Sequence, residues 1–223
     1  MLSCLAALVL LQMPPASSTH RDIQEFKFNK TKGLDNVRMV FAMQNGDSEI
    51  VWKVTKRGRV CNVEVAVDGE PQAQISIGNA VCYFVSHTTK AYSEVDPEQA
   101  LPRDPQFELP APEDDTVSAS FQNFWFYITA GLPMKVDSFK EESIDGRKRA
   151  AAVYSFSKNG KSGTAREWID LKTGLVERFS VRTKSDEEEK LVEGWITELQ
   201  TDFKDDFTSE LFDPAKHPDY TKQ

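Results

Sequence analysis

The feature that most constrains this chain is a succession of short segments in which apolar and polar residues alternate, each followed by a tight turn. Segment 168–179 is the clearest example, because Asp170 and Thr173 favour a turn and Gly174 supplies the positive φ that closes it. Alternation resumes directly after the turn, as expected of a strand with one buried face. Since local turns join the strands, the segment predicts an antiparallel sheet.

The same pattern runs through both halves of the chain. The Asn45-Gly46 turn is typical of a hairpin because both positions tolerate positive φ. In segment 60–67 the apolar residues fall at alternate positions, which places them on one face. The predicted strands are 26–28, 37–43, 50–54, 60–67, 74–77, 80–85, 90–95, 138–141, 150–156, 164–169, 175–183 and 191–199.

Length and charge limit the function classes. A chain of 223 residues suits one domain of roughly 200 residues, which is enough to bury a substantial core. The net charge of −8 argues against a nucleic-acid partner, since phosphates are bound by basic surfaces. We therefore expect a single acidic globular domain that does not bind nucleic acid.

The first 18 residues resemble a secretory signal. The apolar run 2–13 is too short to span a bilayer, which needs about 20 residues, and 14–18 resemble a cleavage region. No Lys or Arg precedes the run, and a buried amphiphilic first helix is the alternative interpretation. The pattern predicts a signal peptide over 1–18 and one domain over 19–223, exported and not integral to a membrane.

Two cysteines would remain once a leader carrying Cys4 is removed. In an exported protein, Cys61 and Cys82 could form a disulfide. They fall on predicted strands that are separated by another strand, a spacing that can be too wide for a bond. The sequence leaves both a disulfide and two separate buried thiols open.

A proline-rich segment, 97–115, interrupts the strands and predicts an extended loop. It is followed by a predicted helix over 117–130, which ends before Gly131 and Pro133. Helical spacing gathers aromatic and aliphatic side chains into one stripe, which either fills the core or lines a cavity or its lid. The stripe consists of Phe121, Phe124, Trp125 and Ile128.

No residue pattern in the chain indicates catalysis. His20, His87 and His217 are scattered without the spacing of metal ligands. Segment 159–163 is rich in glycine but lacks the upstream glycine of a phosphate-binding loop, and it stands between strands. The sequence therefore predicts no enzyme, no catalytic residue, no metal and no cofactor.

Particular segments resemble the outer-membrane lipoprotein carrier superfamily, the LolA/LolB-like lipoprotein-sorting proteins. Segment 78–85 with 90–92 is similar to the family's hairpin, in which a glycine-containing turn leads to an aromatic strand and then a Lys/Tyr strand. Segment 168–175 looks like the family's W-[IL]-D-x-x-[TN]-G-L segment, and 207–212 resembles its closing turn. The resemblance covers about 23–214, and 168–175 is its most specific part.

The resemblance implies a mainly β (α+β) fold, in which a curved antiparallel sheet forms a half-open barrel around one or two helices. It also implies a non-catalytic carrier or binding protein for lipid, lipoprotein acyl chains or another apolar ligand in the periplasm or cell envelope. The alternative is an envelope protein-interaction or stress-sensor module that binds a partner through an exposed strand edge. The residues expected to line the cavity or its lid are Trp52, Phe84, Phe121, Phe124, Trp125 and Ile128.

Two family features are not found in the sequence. The family's long amphipathic helix is not expected after the leader, because segment 19–32 is short and polar. The family's lid-locking arginine also has no clear counterpart, although Arg57 and Arg59 lie in the corresponding region.

Overall fold

The computed structural model describes residues 18–31, 34, 36–58, 60–96, 134–158, 161–184 and 189–223. Within these residues the chain forms one α-helix, two short 3-10 helices and twelve strands. The helix is α1 (His20–Thr31), and the strands of the first half are β1 (Asn36–Asn45), β2 (Ser48–Arg57), β3 (Val60–Val67), β4 (Glu70–Ile77), β5 (Cys82–Ser86) and β6 (Ala91–Val95). The second half contributes β7 (Met134–Ile144), β8 (Arg147–Lys158), β9 (Lys161–Asp170), β10 (Val176–Lys184), β11 (Glu189–Thr201) and β12 (Thr221–Lys222).

All twelve strands belong to one sheet with the order β12-β6-β5-β4-β3-β2-β1-β11-β10-β9-β8-β7. Each half is a meander, and antiparallel pairing of β1 with β11 joins the two. Only the short β12 pairs in parallel, with β6. Over the described residues the sheet is curved and not closed into a barrel, which confirms the predicted mainly β fold.

Residues 26–28 were predicted as a strand but lie in α1, and this prediction was wrong. The Thr19 hydroxyl accepts from the Asp22 amide at 3.3 Å, and the Thr19 amide donates to the Asp22 carboxylate at 2.7 Å. This reciprocal pair caps the first turn of a helix. The helix buries Ile23 and Phe26, three residues apart, so a helix that could not be recognised from the sequence of 19–32 is present.

Helix α1 packs on one face of the sheet, which we call the inner face. The Phe26 ring lies 5.9 Å from the ring of Phe139 on β7. Ile23 and Phe26 belong to a buried cluster with Phe41 of β1, Tyr154 of β8 and residues of β9 and β10. The inner face of the second half is therefore a closed core between α1 and the sheet.

The C-terminal segment 203–223 packs on the opposite face, which we call the outer face, over the first half of the sheet. The Phe212 amide donates to the Ser76 hydroxyl at 2.9 Å, and the Gln74 side chain donates to the Glu210 carbonyl at 3.0 Å. The Phe212 ring lies 5.6 Å from the ring of Tyr83. The predicted closing turn at 207–212 is present as a 3-10 helix over Thr208–Glu210.

The turn between β9 and β10 supports α1. Asp170 accepts hydrogen bonds from the amides of Lys172 and Thr173, and Gly174 has a φ of 73°. A Cβ at residue 174 would lie 2.5 Å from the Lys30 Cβ and 2.6 Å from the Lys27 carbonyl. The segment with the most specific family resemblance is thus the place where the helix rests on the sheet.

Cys61 and Cys82, for which the sequence left a disulfide open, are separate buried thiols. Cys61 pairs across the sheet with Ile77, and Ile77 pairs with Cys82, so β4 lies between them. Burial raises the pKa of the Cys82 thiol to about 11, which keeps it protonated near neutral pH.

Candidate functional site

Among the residues that the structure describes, the inner face of β2–β5 is covered at one end only. The cross-strand row of Lys56, Cys61, Ile77 and Cys82 is buried on all four strands, whereas the next row, Val54, Val63, Ile75 and Phe84, is buried on β2 and β3 but not on β4 and β5. At one end, the closed end, the side chains of Val54, Lys56, Cys61, Val63, Ile77 and Cys82 are buried. At the other, the open end, the side chains of Ile50, Trp52, Val65, Val67, Ile75 and Phe84 are only partly buried or exposed.

Trp52 and Phe84, two of the predicted site residues, lie on this face. Trp52 pairs with Val65, and its ring lies 6.1 Å from the ring of Phe41, at the border between the two buried clusters. Phe84 pairs with Ile75 and is 36% exposed, which is unusual for a phenylalanine on the inner face of a sheet. The two aromatic rings are carried by strands three positions apart in the sheet.

The other four predicted site residues lie outside the described residues. They are Phe121, Phe124, Trp125 and Ile128 of the predicted helix 117–130. Their part in a cavity or lid stays a prediction. The predicted signal peptide and Arg59 also lie outside the described residues, whereas Arg57 lies on the outer face, where its guanidinium donates to the Phe203 carbonyl at 3.2 Å.

Lys56 is a site residue that the sequence reasoning missed. It occupies the inner-face position after Val54 on β2 and pairs with two buried neighbours, Val37 of β1 and Cys61 of β3. The side chain is only 2% exposed, and its Nζ donates to the Leu34 carbonyl at 3.3 Å. The signal was present in the sequence, because Ile50, Trp52, Val54 and Lys56 continue one alternation in which the fourth position is charged.

A second buried lysine, Lys27 of α1, has a full set of partners. Its Nζ lies 3.0 and 3.1 Å from the two carboxylate oxygens of Glu167 on β9. The Tyr154 hydroxyl donates to the same carboxylate at 2.8 Å. Burial, reinforced by the Glu167 charge, raises the pKa of Tyr154 well above its ordinary value, so the hydroxyl stays a donor. This cluster joins α1 to the sheet.

His20 lies beside this cluster at the start of α1. Its ring meets the Tyr154 ring edge-on at 5.4 Å, and its Nε2 is 2.9 Å from the Gln24 side-chain nitrogen. Burial, together with the nearby Lys27 charge, lowers the pKa of His20 to about 4. The imidazole is therefore neutral near pH 7, as suits a histidine enclosed with a cation.

The described residues offer no arrangement for metal chemistry. Within them, no group of three or more His, Cys, Asp and Glu side chains is placed to hold a metal ion. His87 instead contacts the C-terminal segment, with its Nδ1 2.8 Å from the Tyr220 hydroxyl. None of the helices in this part of the chain is long and apolar enough to cross a membrane.

No protein-family model matches the sequence, and no curated protein matches it. Solved structures do match. An uncharacterized conserved protein from Thermus thermophilus is similar with a TM-score of 0.52 and 9% identity, over 89% of this chain and 98% of that chain. The Pseudomonas aeruginosa MucA/MucB complex matches with a TM-score of 0.42 and 14% identity, over 87% of this chain and 62% of that chain. A putative outer membrane lipoprotein-sorting protein domain from Vibrio parahaemolyticus matches with a TM-score of 0.33 and 9% identity, over 85% of this chain and 94% of that chain.

These matches concern the fold. The chain shares its architecture with the Thermus protein along nearly the whole of both chains. The resemblance to the lipoprotein-sorting superfamily stays a prediction from the sequence, because the matches to such proteins have TM-scores below 0.5. Identities this low carry no information about ligands or individual residues.

Proposed function

We propose that this protein is a non-catalytic carrier or binding protein for an apolar ligand, such as a lipid or a lipoprotein acyl chain, in the cell envelope. The observation that carries the proposal is the open end of the inner face. Each half-exposed apolar side chain there forgoes part of the roughly 25 cal/mol per Å² gained when apolar surface leaves water. A bound alkyl chain would supply that burial.

The chemistry of the open end fits an alkyl chain better than a polar ligand. Most of the described side chains at this end are aliphatic or aromatic, the exceptions being Ser86, in register with Ala73, and Glu70, in register with Val67. Trp52 and Phe84 add large flat surfaces at opposite sides. Contiguous apolar surface of this kind is typical of ligand or partner sites. We propose that Phe121, Phe124, Trp125 and Ile128 contribute to the same site, which rests on the sequence pattern alone.

The envelope location is proposed from the leader. The apolar run 2–13 and the following segment 14–18 match a secretory signal, and export places the protein where lipids and lipoproteins are handled. The fold it shares with the solved structures is compatible with this location.

The proposal is tested by native mass spectrometry of the purified protein and by displacement of a fluorescent fatty acid. We expect co-purified lipid and saturable binding. Phe84→Asp should weaken binding by about tenfold or more, because it places a charge on the apolar surface. Leu191→Asp is the matched control, since Leu191 is 47% exposed but lies on the outer face of β11. Absence of bound lipid and of saturable binding would refute the proposal.

One observation favours the alternative function, a protein-interaction or stress-sensor module. Strand β7 is hydrogen-bonded to β8 on one side, and within the described part of the chain no strand pairs with its other side. Such an edge can add a partner strand. However, the exposed Lys135, Asp137 and Lys140 and the irregularity at Val136/Ser138 are devices that discourage pairing. A pull-down from envelope extracts tests this function. A captured envelope protein that stays bound in excess lipid would support an interaction module over a carrier.

A further inference from the structure

Lys56 is a charged side chain buried among apolar residues, with no counter-charge among the described residues. Its neighbours across the sheet, Val37 and Cys61, are fully buried in a cluster that also contains Leu175, and Leu34 packs against this cluster. Transfer of an ammonium group from water into such surroundings is costly unless a counter-charge and hydrogen bonds are supplied. Within the described part of the chain, no carboxylate lies within ion-pair distance of the Lys56 Nζ.

The hydrogen bonds of Lys56 are also incomplete. An ammonium group has three N–H donors, and the described residues provide one acceptor, the Leu34 carbonyl, at the long distance of 3.3 Å. Lys27 shows what full compensation looks like in the same fold, with both oxygens of Glu167 at 3.0 and 3.1 Å. Among the residues that the structure describes, Lys56 therefore has no acceptor with negative charge.

Lys56 lies on the same face of β2 as the apolar residues of the open end. Lys56, Val54, Trp52 and Ile50 follow one another on the inner side of β2, from the closed end to the open end. Lys56 and Ile50 are six positions apart on the strand, which corresponds to roughly 20 Å. An extended alkyl chain of a common fatty acid has about this length, so a chain lying along β2 would bring its polar end to Lys56.

We infer that Lys56 binds the anionic head group of a single-chain amphiphile whose alkyl chain lies along the inner face of β2 towards Ile50. The head group is a carboxylate or a phosphate, since either supplies a charged acceptor for the Lys56 ammonium. This inference rests on the proposed function and adds the polarity and orientation of the ligand. It also explains why a cation is kept at the closed end of an otherwise apolar surface.

The test compares three probes of equal chain length, palmitate, hexadecyl phosphate and hexadecanol, which differ only in the head group. Dissociation constants are measured by displacement of a fluorescent fatty acid from the full-length protein. We expect at least one anion to bind about tenfold more tightly than hexadecanol, as a charge-assisted hydrogen bond would give. The anion that is preferred identifies the source of the head group.

The decisive variant is Lys56→Met, which removes the charge and keeps the length of the side chain. The preference for the anion should disappear while the affinity for hexadecanol is kept. Lys53→Met is the matched control, because Lys53 lies on the same strand, on the outer face, and is exposed. Lys56→Arg retains the charge and should retain the preference, which keeps the test informative if the methionine variant folds poorly.

A purely structural role for Lys56 makes different predictions. If Lys56 served only to hold the Leu34 carbonyl, Lys56→Met would lower the thermal midpoint of the ligand-free protein and leave the ratio of affinities unchanged. We expect instead a midpoint that is unchanged or higher, because an uncompensated buried charge is removed. Equal binding of hexadecanol and both anions would overturn this inference alone, and failure of all three probes to bind would overturn the proposed function with it.

Discussion

The inner faces of the two halves of the sheet differ in how they are covered. In the second half, α1 covers β7–β10, and Phe139, Tyr154 and Phe179 are 1% exposed or less. In the first half, the inner face of β2–β5 is buried at one end and becomes exposed towards Phe84. The difference teaches that one continuous sheet can close one half as a structural core and leave part of the other half uncovered, which is where we propose that the ligand binds.

The outer faces show the opposite arrangement. The C-terminal segment covers the outer face of the first half through Phe212 and its neighbours. The outer face of the second half instead carries ion pairs and an indole, Trp168, with the guanidinium carbons of Arg166 and Arg178 at 4.7 and 5.5 Å from its ring. Among the described residues, each half thus has one covering element, and the two elements lie on opposite faces. In the first half this leaves part of the inner face uncovered, which is where we propose that the ligand binds.

Alanine substitutions of the two inner-face phenylalanines test this contrast most strongly. Phe139→Ala should lower the free energy of unfolding by roughly 4 kcal/mol, because it removes a fully buried ring from the contact between α1 and β7. Phe84→Ala should cost only about 1 kcal/mol, since its ring is partly exposed. Urea denaturation measures both values. Similar losses for the two variants would show that the two faces are equally structural.

The two buried lysines provide the next test. Glu167→Gln leaves the Lys27 ammonium buried without its counter-charge, and we expect a loss of roughly 3 kcal/mol in the free energy of unfolding. Glu193→Gln is the matched control, because the Arg178–Glu193 pair on the outer face is largely exposed and should contribute less than about 1 kcal/mol. An equal, small loss for both would mean that the Lys27 cluster does not hold α1 in place.

The strands of this fold could be predicted because their information is local. Alternation and turn residues such as Asn45-Gly46 mark each hairpin, and the observed pairing follows the chain from strand to strand. Helix α1 was missed because its stability depends on contacts distant in sequence. Lys27 is buried through Glu167, 140 residues away, and a polar helix of this kind has little periodic signal of its own.

The site was predictable to a similar extent. Alternation placed Trp52 and Phe84 on strands, and the register places both on the inner face. Which inner-face residues remain exposed depends on what packs over them, and that is a tertiary property. Lys56 is visible in the sequence as the one charged position in an apolar alternation, but its burial depends on tertiary packing, including its contact with the Leu34 carbonyl.

The turn after β9 offers a smaller test of how the second half is closed. Gly174→Ala forces an alanine into positive φ and drives its Cβ against the Lys27 carbonyl and Lys30 Cβ. Gly46→Ala has the same backbone problem, with nothing within 4 Å of its Cβ, and should cost about 1 kcal/mol. We expect Gly174→Ala to cost about 2 kcal/mol more, because the neighbouring helix has to move. Equal costs would show that the turn does not support α1.

The last test is the effect of pH on the stability of the second half, where His20 is buried. The pKa of His20 is lowered from 6.5 to about 4 in the folded protein, so the unfolded state takes up a proton first as the pH falls. His20 therefore reduces stability progressively below about pH 6.5, and linkage gives a loss of about 2 kcal/mol between about pH 7 and about pH 5. His20→Gln should remove this part of the pH dependence.

Chemical denaturation of both proteins at the two pH values isolates the contribution of His20, because all carboxylates are common to them. The Lys27 charge beside the imidazole disfavours protonation of the ring and lowers the pKa of His20 further. An anionic ligand in the first half adds no group beside His20, and the pH effect should persist when that ligand is bound. If the wild type and His20→Gln lose the same stability between the two pH values, the imidazole is solvated in the folded state. The inner face of the second half would then not be closed around α1, and the contrast between the two halves would fail.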